Sequence, residues 1–267
     1  MATARRHNES SIGSKDRNMK SVIIIPARYA STRLPRKLLL NETGKPLIQH
    51  TYESAQKAAL PESVTVACDH DEIFNAVKQF GGSVRMTNPN APSGTDRIAE
   101  VAATLDDVDI IVNVQGDEPE IAGTSIDLAI QMLLDNPDAV MSTLATPIRN
   151  RQQLEDVSCV KVVFDAQHRA MYFSRSVIPH PRGGIRDEHL SQSPPLFFQH
   201  IGLYAYRRDF LLRLSKLAQS ELEKTESLEQ LRVLHHGNSL MVGVVDKATI
   251  GIDTPEDYRR FVASFGG

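Results

Sequence analysis

Arg28, Arg33, Arg36 and Lys37 fall within ten residues that include no acidic side chain. The planar fork of arginine gives phosphate oxygens two parallel charged hydrogen bonds, while lysine supplies a compact point charge. The stretch therefore reads as a phosphate-binding loop rather than a solvated charge run. Two carboxylates elsewhere could serve the same ligand. Asp117 sits in Val114-Gln115-Gly116-Asp117-Glu118-Pro119, and Asp253 in Gly251-Ile252-Asp253-Thr254-Pro255. Mg²⁺ takes one or two carboxylates and completes its shell with phosphate oxygens, so a carboxylate beside a cationic loop is a candidate ligand. Each segment also has a plain structural explanation. Gly116 and Pro119 suit a tight turn, and Thr254 with Pro255 suits a helix start with Thr254 as N-cap.

Two further groups could do chemistry. Ser93-Gly94-Thr95-Asp96-Arg97 has capping-box spacing, and its free N–H groups together with Arg97 would suit a carboxylate or a base edge. In His200-Ile201-Gly202-Leu203-Tyr204-Ala205-Tyr206, strand alternation puts His200, Gly202, Tyr204 and Tyr206 on one face. Taken alone, that pattern is better explained by a core strand with a satisfied histidine.

The elements that position these residues follow from periodicity. Val22-Ile23-Ile24-Ile25 reads as a strand buried on both faces, ending at Pro26, which cannot donate to a ladder. The cationic loop thus leaves the carboxyl end of a first strand, where open α/β sheets hold ligands. Helices are predicted over 44–60, 71–80, 98–105 and 123–134, alternating with strands over 64–68, 83–87, 109–114 and 139–145. That alternation implies right-handed crossovers and a mainly parallel sheet. After residue 150 the rhythm changes. Strands are expected over 160–164, 170–173 and 200–206, the first two antiparallel, with a long loop over 180–195. Helices return over 209–217, 227–235 and 255–265. Neither G-x-G-x-x-G nor G-x-x-x-x-G-K-[ST] occurs, which disfavours dinucleotide and P-loop sites.

At 267 residues with 41% hydrophobic content, the chain suits one large domain with a subdomain. A net charge of −3 argues against non-specific binding to nucleic acid or anionic membrane. Two cysteines, Cys68 and Cys159, are too few for a disulfide framework and point to the cytoplasm. No apolar stretch reaches the roughly 20 residues of a membrane span. Residues 1–20 are basic and almost without apolar side chains, so they are expected to be a disordered tail, and Met19 could be the natural start.

Together these segments resemble one family. Ile25-Pro26-Ala27-Arg28-Tyr29-Ala30-Ser31-Thr32-Arg33-Leu34-Pro35, Asn113-Val114-Gln115-Gly116-Asp117-Glu118-Pro119, Tyr172-Phe173-Ser174-Arg175, Leu228-Glu229-Gln230-Leu231-Arg232 and Asp253-Thr254-Pro255-Glu256-Asp257 are similar, in order, to the motifs of the 3-deoxy-D-manno-octulosonate (KDO) cytidylyltransferases. The match runs from residue 21 to about 260. One departure is Arg36, where the family usually has glycine.

The resemblance implies a nucleotide-diphospho-sugar transferase fold: a mainly parallel central sheet flanked by helices, with a small antiparallel dimerisation subdomain within about 150–210 of a single domain over 21–267. It also implies a homodimer and the Mg²⁺-dependent reaction CTP + KDO → CMP-KDO + pyrophosphate, a step in lipopolysaccharide assembly. Carried over residue by residue, Pro26, Ala27, Arg28, Arg33, Lys37, Asp69, Ser93 and Gln115 would bind CTP. Lys37, Arg28, Asp117 and Asp253 would be catalytic, the two aspartates holding Mg²⁺. Arg97, Gln115, Arg175, His200, Tyr204, Glu229 and Gln230 would bind the sugar acid, and backbone near 67–69 and 92–94 would read the cytosine. Enzymes that activate sialic acids share fold and CTP but open with a Gly-Gly-Ser-Lys loop, which Tyr29-Ala30-Ser31-Thr32-Arg33 does not resemble. A non-catalytic nucleotide sensor would lack Lys37 or a metal carboxylate, and all three are present.

Overall fold

Strands β1 (Ser21–Ala27), β2 (Val64–Cys68), β3 (Val84–Met86) and β4 (Ile110–Asn113) are joined by helices α1 (Leu47–Ala55), α2 (Asp71–Gln79) and α3 (Gly94–Ala102). After α4 (Gly123–Asp135) and β5 (Ala139–Pro147) come α5 (Arg151–Glu155), β6 (Lys161–Phe164), β7 (Ala170–Ser174) and α6 (Asp187–Ser191). The chain continues with β8 (Phe198–Arg207), α7 (Arg208–Leu214), α8 (Glu221–Glu226), α9 (Gln230–His235), β9 (Ser239–Val244) and α10 (Pro255–Phe265). This computed structural model describes residues 19–265; all but the last two residues of the expected basic tail lie outside them.

The main sheet has the order β3-β2-β1-β4-β8-β5-β9, and β6 and β7 are attached through β8. Along that path only β8 runs against its neighbours, β4 and β5, and the other pairings are parallel. Alternation along β1 divides the core into two layers. Ile23 and Ile25 pack beneath Leu47, Ile73, Ile126 and Phe261, whereas Val22 and Ile24 face Ile98, Phe210 and Leu231. A smaller cluster of Ile148, Leu154, Cys159, Leu190 and Phe197 lies in the segment after β5.

Several boundaries differ from the periodicity. Pro26 lies inside β1, opposite Ala67 of β2. The Ile23 N–H points to β2, so alternation aims the nitrogen of Pro26 toward β4, whose pairing with β1 has ended at Ile24↔Asn113. No ladder bond is lost there. The helix predicted over 44–60 shortens to α1, with Pro46 as its N-cap residue. The helix predicted over 227–235 begins only at Gln230, because Ser227 adopts the left-handed region at φ 53° and closes α8. Within the loop predicted over 180–195 sits the short helix α6. Thr254 caps α10 as expected: its Oγ1 accepts from the Asp257 N–H at 3.1 Å.

Candidate active site

The sheet order turns outward in both directions from β1 and β4, so the carboxyl ends of these two strands open a crevice. Gly116 lets the two ends approach, since a Cβ there would lie 3.1 Å from the Pro26 carbonyl oxygen. The cleft measures about 600 Å³, and the loop after β1 forms one wall of it. Pro26, Arg28, Arg33, Lys37, Ser93, Gln115, Asp117 and Asp253 all line it, so sequence-distant candidates converge. Lys37 Nζ donates to Asp117 Oδ2 at 2.5 Å and to Asp253 Oδ1 at 3.0 Å, and Arg33 pairs with Asp253 at 3.2 Å. Two carboxylates that converge on one cationic atom fit a divalent ion, which takes its remaining oxygens from phosphate. Ser31 and Thr32 also line the cleft, a contribution that the focus on cations passed over.

Behind the loop, the Tyr29 ring stacks on His70 at 3.8 Å between centroids, and the Arg36 guanidinium lies 5.6 Å above Tyr29. Arg36 also pairs with Glu72, which accepts from the Tyr29 hydroxyl at 2.9 Å. Arg36 holds the left-handed conformation, φ 55°, in which glycine is normally unstrained.

A second cleft of about 340 Å³ opens on the other side of the α3 N-terminus: Gly94 lines the first cleft and Thr95 the second. His200, Tyr204, Glu229 and Gln230 line it, with Tyr206, Ser158 and Ser227. His200 Nε2 and the Thr143 hydroxyl are 2.9 Å apart, and burial pushes the imidazole down to about 3, so it is neutral. Burial likewise raises the pKa of the Glu229 carboxyl, against the hydrogen bond that the Thr95 hydroxyl donates to it at 3.1 Å. Gln230 Nε2 is buried and has no partner among the described residues. Glu118, next to Asp117 in the chain, is pushed up to about 8 by burial and then by the charge of Asp117, and its Oε2 has no partner among the described residues. Nothing in the local pattern of Glu118 distinguishes it from a turn residue.

Four candidates sit elsewhere than expected. Arg97 is 1% exposed and lines neither cleft. Its guanidinium is committed to Asp69 at 3.1 Å and to the Thr87 hydroxyl at 2.5 Å. Asp69 also accepts from the Tyr29 N–H at 2.8 Å, and Ala27 is fully buried, so neither of these lines the cleft. Arg175 stands behind the wall of the second cleft, donating to the Glu226 carbonyl at 2.7 Å and the Val157 carbonyl at 3.1 Å.

Residues 22–241 match a family model described as Cytidylyltransferase. The chain is 49% identical, over 92% of its length and 98% of the relative's, to a 3-deoxy-manno-octulosonate cytidylyltransferase of Rhodopirellula baltica. The chain belongs to the 3-deoxy-manno-octulosonate cytidylyltransferase family. Another member, from Syntrophotalea carbinolica, is 46% identical over 93% of this chain and all of its own. Among solved structures, a CMP:2-keto-3-deoxy-manno-octonic acid synthetase complexed with CTP superposes with a TM-score of 0.84 at 41% identity, over 92% of this chain and 98% of that one. The family's fold, a mainly parallel sheet flanked by helices, is the one described above.

Proposed function

We propose that the two clefts are the two substrate sites of one reaction, CTP + KDO → CMP-KDO + pyrophosphate. The activity follows from membership of the family, and the observation that carries the division of labour is the convergence of Lys37, Asp117 and Asp253 at the mouth of the cationic cleft. In this reading the triphosphate lies against Arg28, Arg33 and Lys37. The sugar acid lies in the second cleft, where His200, Tyr204, Glu229 and Gln230 address its hydroxyls. The anomeric hydroxyl attacks the α-phosphorus in line: a sugar O–P bond forms, the α–β bridging P–O bond breaks, pyrophosphate carries away the electron pair, and the hydroxyl proton passes to solvent. Such transfer depends on positioning and on offsetting charge at the reacting phosphate, and Lys37 is placed to do the latter. Asp117 and Asp253 are the residues that would hold Mg²⁺, whose chemistry there is to acidify the attacking hydroxyl and offset phosphate charge.

Cytosine is read near β2 and the α3 N-terminus. Arg97 acts there as a brace for Asp69, not as the partner of the sugar carboxylate, because its guanidinium is sealed off from both clefts. The homodimer forms through the segment around β7, where Val157 and Met171 are 67% and 65% exposed and, among the described residues, β7 pairs only with β6. We place the enzyme in the cytoplasm, in the supply of activated KDO to lipopolysaccharide; both cysteines are free, and no helix among the described residues is long and apolar enough to cross a membrane.

Pyrophosphate release by the purified protein tests the reading. CTP, KDO and Mg²⁺ together should support turnover, with ATP and GTP poor substitutes. Equal turnover with a sialic acid, or none with KDO, would overturn it.

A further inference from the structure

Lys161 is fully buried, a lysine at a β6 position where an aliphatic residue would be expected. Its Nζ donates to three backbone carbonyls: Asp156 at 2.9 Å, Cys159 at 2.6 Å and Arg175 at 2.6 Å. A neutral amine has two N–H donors and an ammonium has three, so three acceptors call for the charged form. A buried ammonium is tolerated only when its donors are all used, as they are here.

The three carbonyls belong to segments that build one wall of the second cleft. Ser158 and Val160, in the connection between α5 and β6, line that cleft. Arg175, just after β7, passes the restraint on: its N–H donates to Glu226 Oε2 at 2.9 Å and its Nε to the Glu226 carbonyl at 2.7 Å. Glu226 also accepts from the Ser174 hydroxyl at 2.6 Å. Next in the chain are Ser227, Leu228, Glu229 and Gln230, all of which line the cleft. One buried cation therefore ties together the α5–β6 connection, the end of β7 and, through Glu226, the turn that carries Glu229 and Gln230.

We propose that Lys161 is a positioning residue for the sugar acid, holding the wall of its cleft through the backbone of residues 156–159 and Arg175. An apolar side chain could fill the same volume but would leave the three carbonyls without their common donor. It could not fix three carbonyls at once. The proposal rests on the second cleft being the sugar site.

The test compares Lys161→Met and Lys161→Gln with Val77→Ala, a cavity in α2 on the opposite face of the sheet. Each variant is characterised by the KM for KDO and for CTP, by the melting temperature, and by amide hydrogen exchange. Lys161→Met should raise the KDO KM at least tenfold while the CTP KM stays within twofold. Lys161→Gln, which keeps two N–H donors, should fall between it and the parent. Exchange over 156–160 and 174–177 should quicken in both Lys161 variants and not in Val77→Ala. Should Lys161→Met fail to fold, Lys161→Gln carries the comparison. A KDO KM unchanged in a folded Lys161 variant, with no more than the loss of stability seen in Val77→Ala, would overturn the proposal. If the parent protein does not turn over KDO, the functional reading falls, while amide exchange still reports whether Lys161 holds the wall.

Discussion

The two clefts handle polarity in opposite ways. In the first, charges are open and already paired with one another: Asp253 is 49% and Arg33 68% exposed, and both meet near Lys37. In the second, the deepest polar groups are buried, with His200 kept uncharged and Gln230 Nε2 without a partner among the described residues. A triphosphate brings charge of its own, so its site can exchange internal ion pairs for ligand contacts at little desolvation cost. A sugar brings hydroxyls, whose weak net hydrogen bonds reward groups already stripped of water and fixed in place.

Substitutions sharpen the contrast, beginning with the largest effect. Asp117→Asn or Asp253→Asn should reduce kcat by roughly a hundredfold, equivalent to about 3 kcal/mol of lost transition-state stabilisation, with little change in the KDO KM. Steady-state kinetics at saturating Mg²⁺ decide this; near-normal kcat in both variants would mean that the carboxylates only organise turns. In the buried cleft, His200→Ala should raise the KDO KM by up to roughly tenfold, or about 0.5–1.5 kcal/mol, and leave the CTP KM alone.

Stability should follow pH in opposite directions at two buried groups. His200 has its pKa depressed to about 3 in the fold, so its contribution is present above the unfolded value of 6.5 and is lost as pH falls below it. Glu118 is raised to about 8 from 4.5, so its contribution is present below about 4.5 and is lost as pH rises toward 8. In metal-free buffer, Glu118→Gln should therefore raise the melting temperature by several degrees at pH 8 and by much less at pH 5. Calorimetry at the two pH values checks the sign, and an equal effect at both would show that Glu118 is ionised in the fold.

The smallest effect is expected at Arg36→Gly. Relief of the left-handed backbone, about 1 kcal/mol, offsets the loss of an exposed ion pair worth about 0–1 kcal/mol, so stability and kcat should both stay close to the parent. A large fall in either would promote the Arg36–Tyr29–His70 stack to a functional part of the loop.

Much of this arrangement was legible in the sequence because it is local. The buried strand before the cationic loop, the Ser93 and Thr254 caps and the shared face of His200 and Tyr204 all follow from spacing within a few residues. Long-range pairing was not legible. Arg97 looks available until Asp69, twenty-eight residues away, is seen to hold it in the core. Strand β9 escaped because Gly243 interrupts its apolar run and weakens the strand signal. In the fold that glycine makes room, since a Cβ there would lie 2.8 Å from the Leu144 side chain and would have to displace it. Lys161 and Glu118 are invisible for a related reason: a charge in a strand or a turn reads as exposed unless its partners, or their absence, are known.

The reversed strand β8 also bears on the order in which the chain can become a protein. As the polypeptide leaves the ribosome, β4 and β5 are complete well before residues 198–207 arrive to fill the space between them. Until then each presents a bare ladder edge, the kind of surface that recruits strands from other chains. A fragment ending before residue 198 should accordingly be aggregation-prone, despite containing the whole cationic loop and Asp117.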